Sequence, residues 1–221
     1  MLNSYLKKNV CQINKMDHTI SEHFHRYKHS VATTNEHFDT FFNLTKECEV
    51  VCEMGIESVY STWAFLYGLL HNSSDKKQLL CVDLNYTDRV KPACEAAKRS
   101  GIDMHIFIGN SIHTPLPQVD LLFIDTWHIY GHLKRELENH HQRVRKYILM
   151  HDTEIDKVFG ESLRRGWDTR QQSIESGYPE EEIKKGLGPA IEEFLIHHPE
   201  WRLKAHYPNN YGLTVLERKE P

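Results

Sequence analysis

The sequence predicts an α/β protein: a mostly parallel sheet with helices on both faces. Three observations predict it. Val119-Asp-Leu-Leu-Phe-Ile-Asp-Thr-Trp-His128 contains an unbroken apolar run, Leu121 to Ile124, with no polar alternation, as in a strand buried on both faces. Lys146-Tyr-Ile-Leu-Met-His-Asp152 repeats the pattern. Strand-like and helix-like segments alternate through most of the chain, which calls for parallel strands joined by crossovers. Both apolar runs lead into an acid, Asp125 and Asp152, with His128 one helical turn beyond the first. Ligands of open α/β sheets sit beyond the carboxyl ends of the strands, so these residues stand where chemistry is expected. If the two strands are neighbours, about 4.8 Å apart, the two acids converge.

The 221 residues, 39% hydrophobic and 26% charged, suit a single domain with its own core. A formal charge of −4 without a basic block gives no general attraction for nucleic acid or anionic lipid. No apolar stretch approaches the ~20 residues of a membrane helix, and Met-Leu-Asn-Ser-Tyr-Leu-Lys-Lys lacks the apolar core of a signal peptide. A soluble, cytoplasmic protein is expected. Cys11, Cys48, Cys52, Cys81 and Cys94 are an odd count without a Cys-x-x-Cys pair, and read as reduced, packed thiols. Among the 16 histidines, the adjacent pairs His140-His141 and His197-His198 lie on polar segments and read as solvated surface.

Residues 1–45 are polar and histidine-rich, with thinly spaced apolar residues such as Phe24, Tyr27, Val31, Phe38, Phe41 and Phe42. They predict one or two amphipathic helices packed on the sheet or on a partner subunit, and a homo-oligomer is compatible with that. Glu49 to Gly55 is a first strand ending in a glycine turn, and Ser61 to Leu70 a helix with Ser61 as its cap. Gln78 to Asp83 is a second strand, Val90 to Arg99 a helix closed by Gly101, and His105 to Gly109 a third strand. Tyr130 to Arg143 is the helix between the two organising strands. Residues 153–186 are polar, glycine-dotted and long, the profile of a lid or of a disordered loop. Leu187 to Leu195 is a helix with Pro189 in its first turn. Arg202 to Tyr207 and Gly212 to Glu217 are strands whose short link makes them antiparallel.

A Glu-x-Gly turn after the first strand and an acid after the second suggest a Rossmann-like, nucleoside-binding sheet. Gly55 lets backbone approach the ligand, and Asp83 is positioned to accept hydrogen bonds from both ribose hydroxyls. Gly-x-Gly-x-x-Gly and Walker motifs are missing, which argues for a nucleoside without a pyrophosphate.

Glu53-Met-Gly-Ile-Glu-Ser-Val-Tyr-Ser-Thr-Trp63, Phe123-Ile-Asp-Thr-Trp-His128, His151-Asp-Thr153, and Gly186 to Leu195 with Asn209 to Arg218 together resemble the class I S-adenosylmethionine-dependent methyltransferases grouped with cephalosporin hydroxylase, macrocin O-methyltransferase and rhamnosyl O-methyltransferases. The resemblance spans about Glu49 to Arg218. It implies a seven-stranded sheet whose last strand is antiparallel, with residues 46–152 as the cofactor-binding core and 187–221 as a C-terminal helix and hairpin. It also implies Glu53, Gly55 and Ser61 around the methionine part of S-adenosylmethionine, Asp83 on the ribose, and Asn110 and Ser111 near the adenine. Asp125 would border the cofactor and, with Asp152, hold a divalent cation, Mg²⁺ or Mn²⁺. The third ligand of the family falls beside Asp152, where a carboxylate is common and this chain has His151. Val59 stands where the family often has glycine.

The chemistry is coherent with that implication. An aliphatic hydroxyl holds its proton too tightly to be a good nucleophile, and a hard cation polarises the oxygen and orients a diol. His128, with a reference pKa of about 6.5, suits a general base. The expected activity is O-methylation of a sugar hydroxyl on a glycan or glycosylated metabolite, with a catechol or phenol as the rival acceptor and a non-catalytic cofactor-binding interaction domain as the rival from another class. The rival structural roles are helix caps for Asp125 and Asp152 and a backbone hydrogen bond for His128.

Overall fold

Strand β4 (Val119–Ile124) is buried along its whole length, and the rest of the sheet is laid out from it. The computed structural model describes residues 18–219. β1 (Val50–Met54), β2 (Gln78–Asp83) and β3 (Asp103–Ile108) extend the sheet on one side of β4, and β5 (Val144–His151), β7 (Leu213–Arg218) and β6 (Trp201–Tyr207) on the other, giving the order β3-β2-β1-β4-β5-β7-β6. Only β7 runs against its neighbours, as the short β6–β7 link requires. β4 and β5 are parallel neighbours with Ile124 opposite Met150, so Asp125 leaves one strand beside His151 and Asp152 on the other.

Both faces of the sheet are covered, which is why its central strands read as continuous apolar runs. Val51, Leu121, Phe123, Leu149 and Val215 point into one core, beneath α1 (His18–Lys28), α2 (Phe38–Thr45), α3 (Tyr60–Leu70) and α4 (Lys91–Arg99). Cys52, Met54, Leu122, Ile124, Ile148 and Leu216 point into the other, beneath α5 (Tyr130–His140) and α9 (Leu187–His197). The N-terminal helices pack on the sheet side of the two alternatives: Phe41 meets Phe65 and Phe123 at 5.2 Å, and Phe24 stacks on Tyr67 at 4.1 Å. Burying each such ring contributes about 1.5–3 kcal/mol, enough to hold a two-helix cover in place.

Cys48, Cys52, Cys81 and Cys94 are free thiols, the first three buried, while Cys11 lies outside the described residues. No helix among the described residues is long and apolar enough to cross a membrane.

Three expectations are corrected. The irregular stretch 153–186 carries three short helices, α6 (Glu161–Arg164), α7 (Thr169–Ser176) and α8 (Glu180–Lys184), and a β-bridge between Phe159 and Lys185. Ser61 does not cap α3; that position is Val59, and the Ser61 hydroxyl is turned to Glu53 instead. His140 and His141 are buried, because α9 and the loop after β3 enclose the end of α5: the His140 ring lies 2.8 Å from the Ser111 carbonyl and His141 packs on Phe194.

Candidate functional site

The turn after β1 is built by Gly55, Val59, Glu53 and Asp83. Gly55 has φ +85°, and a Cβ there would lie 1.9 Å from the Asp125 carbonyl oxygen, so only glycine lets the turn reach the end of β4. Val59 takes the left-handed step, φ +66°, that glycine makes readily. A side chain there costs about 1–2 kcal/mol, offset by burial of the isopropyl group, which is 2% exposed. Asp83 at the end of β2 accepts the Ile56 N–H at 2.9 Å through Oδ2 and the Asn85 N–H at 3.0 Å through Oδ1, fixing the turn from the neighbouring strand.

Glu53 is fully buried, and its carboxylate accepts from the hydroxyls of Ser61 (2.5 Å) and Thr62 (2.7 Å), tying α3 to β1. Gly55 and Ser61 line the adjoining cleft, whereas Glu53 stands behind it. Burial pushes the Glu53 carboxyl up to about 7, against the hydroxyls that favour its anion. A carboxyl raised in the folded protein binds its proton more tightly there than when unfolded. Its contribution to stability is therefore complete below the ordinary glutamate value and is lost as pH rises toward 7. In urea unfolding with chelator present, Glu53→Gln should gain on the parent by on the order of 3 kcal/mol between pH 4 and 8. A difference that does not change with pH would refute this.

At the ends of β4 and β5, donor atoms of Asp125, His128 and Asp152 lie within 4.8 Å of one another. His128 Nε2 is 3.0 Å from Asp125 Oδ1, and Nδ1 is 2.8 Å from Asp152 Oδ2 but poorly aligned with it, so this buried nitrogen and Asp152 Oδ1 have no hydrogen-bond partner. Asp156 and Glu161 stand behind at 3.6 and 3.7 Å. Burial disfavours charge on His128, but Asp125, Asp152 and Asp156 overcome it and hold the ring well above the ordinary histidine value. Burial also opposes the Asp125 anion, yet His151 and His128 keep its carboxyl well below the usual range. Four acids crowd one imidazole, and orphaned donor atoms point inward. This donor set fits a divalent cation.

The β6–β7 turn orients His151. Asn210 and Tyr211 have positive φ, and the turn receives the N–H groups of Glu154 and Ile155 on the Tyr211 carbonyl, both at 3.0 Å. The Asn210 carbonyl can only accept, so His151 Nε2, 3.1 Å away, carries the proton. His151 Nδ1 then faces Asp125 Oδ1 (3.4 Å) and Asp152 Oδ1 (3.2 Å), oriented as a backbone-anchored metal histidine is. His151 thus stands against the two acids, beside the group formed by Asp125, His128 and Asp152.

These groups share one cleft of about 310 Å³. The turn after β1 (Gly55 to Ser61) forms one wall, Asp125, His128, His151 and Asp152 another, and Thr33, Thr34, Glu161 and Arg165 complete it. Asn110 and Ser111 do not line it. Asn110 accepts the Ile112 N–H, and Ser111 donates to the buried Glu136 beside His132. The sequence reading missed Thr33, Thr34, Asp156, Glu161 and Arg165. No local spacing marks them, because they reach the site through packing between distant segments.

The first part of 153–186 is fastened beneath His128. Arg164 makes a two-pronged ion pair with the buried Asp156, the Glu161 N–H donates to the His128 carbonyl, and Trp127 donates to Ser162. α7 stands outside these anchors with Ile174 exposed. If the segment closes over the cleft, amides of 167–178 should exchange quickly in the unliganded protein and slow on ligand binding, with Glu161 and Arg165 protected throughout. Protection of 167–178 equal to that of β4 without ligand would rule out a lid.

The chain folds over 98% of its length like a candidate caffeoyl-CoA O-methyltransferase from Staphylococcus aureus, covering 98% of that protein at 14% identity with a TM-score of 0.57. The fold is that of the class I methyltransferases. A Podospora anserina methyltransferase bound to S-adenosylhomocysteine shares it, with 91% of this chain and 88% of that one covered at 16% identity and a TM-score of 0.54. So does a Bacillus cereus O-methyltransferase in complex with S-adenosylhomocysteine, covered in full by 99% of this chain at 14% identity and a TM-score of 0.52. No protein-family model and no curated protein sequence matches the chain. At these identities the methyltransferase fold is what is shared.

Proposed function

We propose that the protein is an S-adenosylmethionine-dependent O-methyltransferase that requires a divalent cation and methylates a sugar hydroxyl. One observation carries the reading: the glycine turn that borders a nucleoside cofactor in this fold opens on the same cleft as a cation-type donor set. Asp125 and Asp152, with His151 through Nδ1, would hold the cation. Bound there, the cation would polarise the acceptor hydroxyl and orient a diol. His128 faces the same point, with one ring nitrogen lacking an aligned partner. The carboxylates that hold its ring protonated would be drawn off to the bound cation, and the neutral imidazole so released takes the hydroxyl proton. The transfer itself needs the acceptor oxygen, the methyl carbon and the sulfur in line, which the cleft walls supply by positioning.

Asp83 keeps lone pairs free for the ribose beyond those given to Ile56 and Asn85. Asp83→Ala should weaken S-adenosylhomocysteine binding by about 1.5–3 kcal/mol; unchanged affinity would remove Asp83 from the cofactor site. Calorimetry with S-adenosylmethionine and S-adenosylhomocysteine, with and without Mg²⁺, followed by mass detection of methyl gain on a panel of glycans, sugars and phenols, tests the whole reading. Absence of cofactor binding under all conditions would overturn it. The phenolic alternative is favoured by the exposed rings of Phe159 and Trp167 on the segment beside the cleft, which suit a planar acceptor as well as the apolar face of a sugar. Methyl gain on phenols alone would replace the sugar by that class.

A further inference from the structure

The adjacent histidine pairs at the ends of α5 and α9 meet at the opposite end of the sheet from the cleft. Glu138 lies on α5, His141 opens the 3₁₀ turn that follows it, His198 ends α9, and Glu200 is in the link to β6. Donor atoms of Glu138, His141 and His198 all lie within 4.8 Å of one another. His198 Nε2 is 3.0 Å from Glu138 Oε1, and Glu200 Oε1 is 3.4 Å from His141 Nδ1 and 3.8 Å from His198 Nδ1. The two imidazoles are 4.1 Å apart, centre to centre, and both rest on Phe194. His141 is 4% exposed, and its Nδ1 has no hydrogen-bond partner. The turn is held from behind, since Arg218 donates to the carbonyls of His141 and Val144.

A buried imidazole nitrogen without a partner is costly, and two histidines pressed together beside two carboxylates make an arrangement that a cation would satisfy. Metal–ligand bonds of about 2.0–2.1 Å in a tetrahedron set neighbouring donor atoms roughly 3.3 Å apart. His198 can give an ion only one nitrogen, so the centre of the site is Glu138, His141 and His198, with donor atoms within 4.8 Å, and Glu200 completes it from the His141 side at 3.4 Å. We propose that Glu138, His141, His198 and Glu200 form a second cation site, separate from the cleft, that takes Zn²⁺ or a similar imidazole-favouring ion and fastens the end of α5 to the end of α9. Imidazole nitrogen selects such ions over Mg²⁺ and Ca²⁺, which prefer all-oxygen shells. Two carboxylates and two neutral imidazoles balance a dication, so the site gains the ion without leaving a buried net charge.

The test uses the full chain carrying Asp152→Asn, which disables the donor set in the cleft, with and without His198→Gln. His198 is partly exposed at a helix end, so its replacement should leave the fold intact, as circular dichroism would verify. Zn²⁺ titration of the Asp152→Asn protein should show one saturable site and a raised thermal midpoint, and Co²⁺ should give the visible bands of four-coordinate geometry. His198→Gln should weaken that binding by more than about 100-fold and abolish the thermal shift, and Glu138→Gln should reduce both. Absence of saturable Zn²⁺ binding by the Asp152→Asn protein overturns the proposal. So does binding that survives His198→Gln, which would point to the exposed His18, His25 and His29 near the N-terminus.

Discussion

Asp152→Ala should abolish methyl transfer while S-adenosylhomocysteine still binds. Asp152 contributes nothing to the cofactor turn, and its carboxylate faces His128 and His151 across the cleft. Its Oδ1 is buried without a hydrogen-bond partner, an arrangement that costs stability unless a ligand completes it. Asp152 also has φ +59°, a left-handed backbone that holds its side chain between the two histidines. Losing one anionic donor removes several kcal/mol of charge stabilisation from the polarised hydroxyl, a fall on the order of 10³-fold in turnover. Raised Mg²⁺ or Mn²⁺ should restore part of it, because the loss acts through cation affinity. A chelator should silence the parent in the same way. If chelated parent enzyme turns over at full rate, the cation assignment fails, whatever Asp152→Ala does.

How much of this site a sequence discloses depends on whether each residue reaches it along its own strand or through distant packing. β4 and β5 were legible because helices cover both faces, leaving apolar runs whose carboxyl ends carry Asp125, His151 and Asp152. The edge strand β3 was less so: its exposed residues carry no strong pattern, and it begins at Asp103, two residues before the expected start. α6 and α7 were not legible, and of α8 only the acidic run Glu180 to Glu182 reads as a solvated helix face. They are short, and what holds them is contact with other elements, such as Asp156 with Arg164 and Glu182 with Arg135. Glu161, Arg165, Thr33 and Thr34 join the cleft by that same route, and Asp156 reaches its place behind His128 likewise, so no local period marks them. Glu53 and Ser111 carry a structural role that the sequence did not disclose. Each was expected at the cofactor, and each is buried in hydrogen bonds that brace the elements around it.

His128→Ala should slow methyl transfer by about 10²–10⁴-fold, the usual loss of a general base, and should leave cofactor binding intact. His128 is on the cleft wall one turn beyond Asp125, and its backbone carbonyl anchors α6 whatever the side chain is. Alanine therefore removes the imidazole without releasing the segment above it. A more alkaline solution supplies hydroxide in place of a missing base, so the variant should recover activity as pH rises, whereas added Mg²⁺ should not help it. Asp152→Ala should behave in the opposite way, and the two rescue patterns should not interchange. Turnover measured against pH and against Mg²⁺ for both variants and the parent separates the roles. Should His128→Ala instead recover with added metal and ignore pH, His128 is a ligand of the cation and the proton leaves by another group. Should it turn over like the parent at every pH, the imidazole serves only as the positive charge between Asp125 and Asp152.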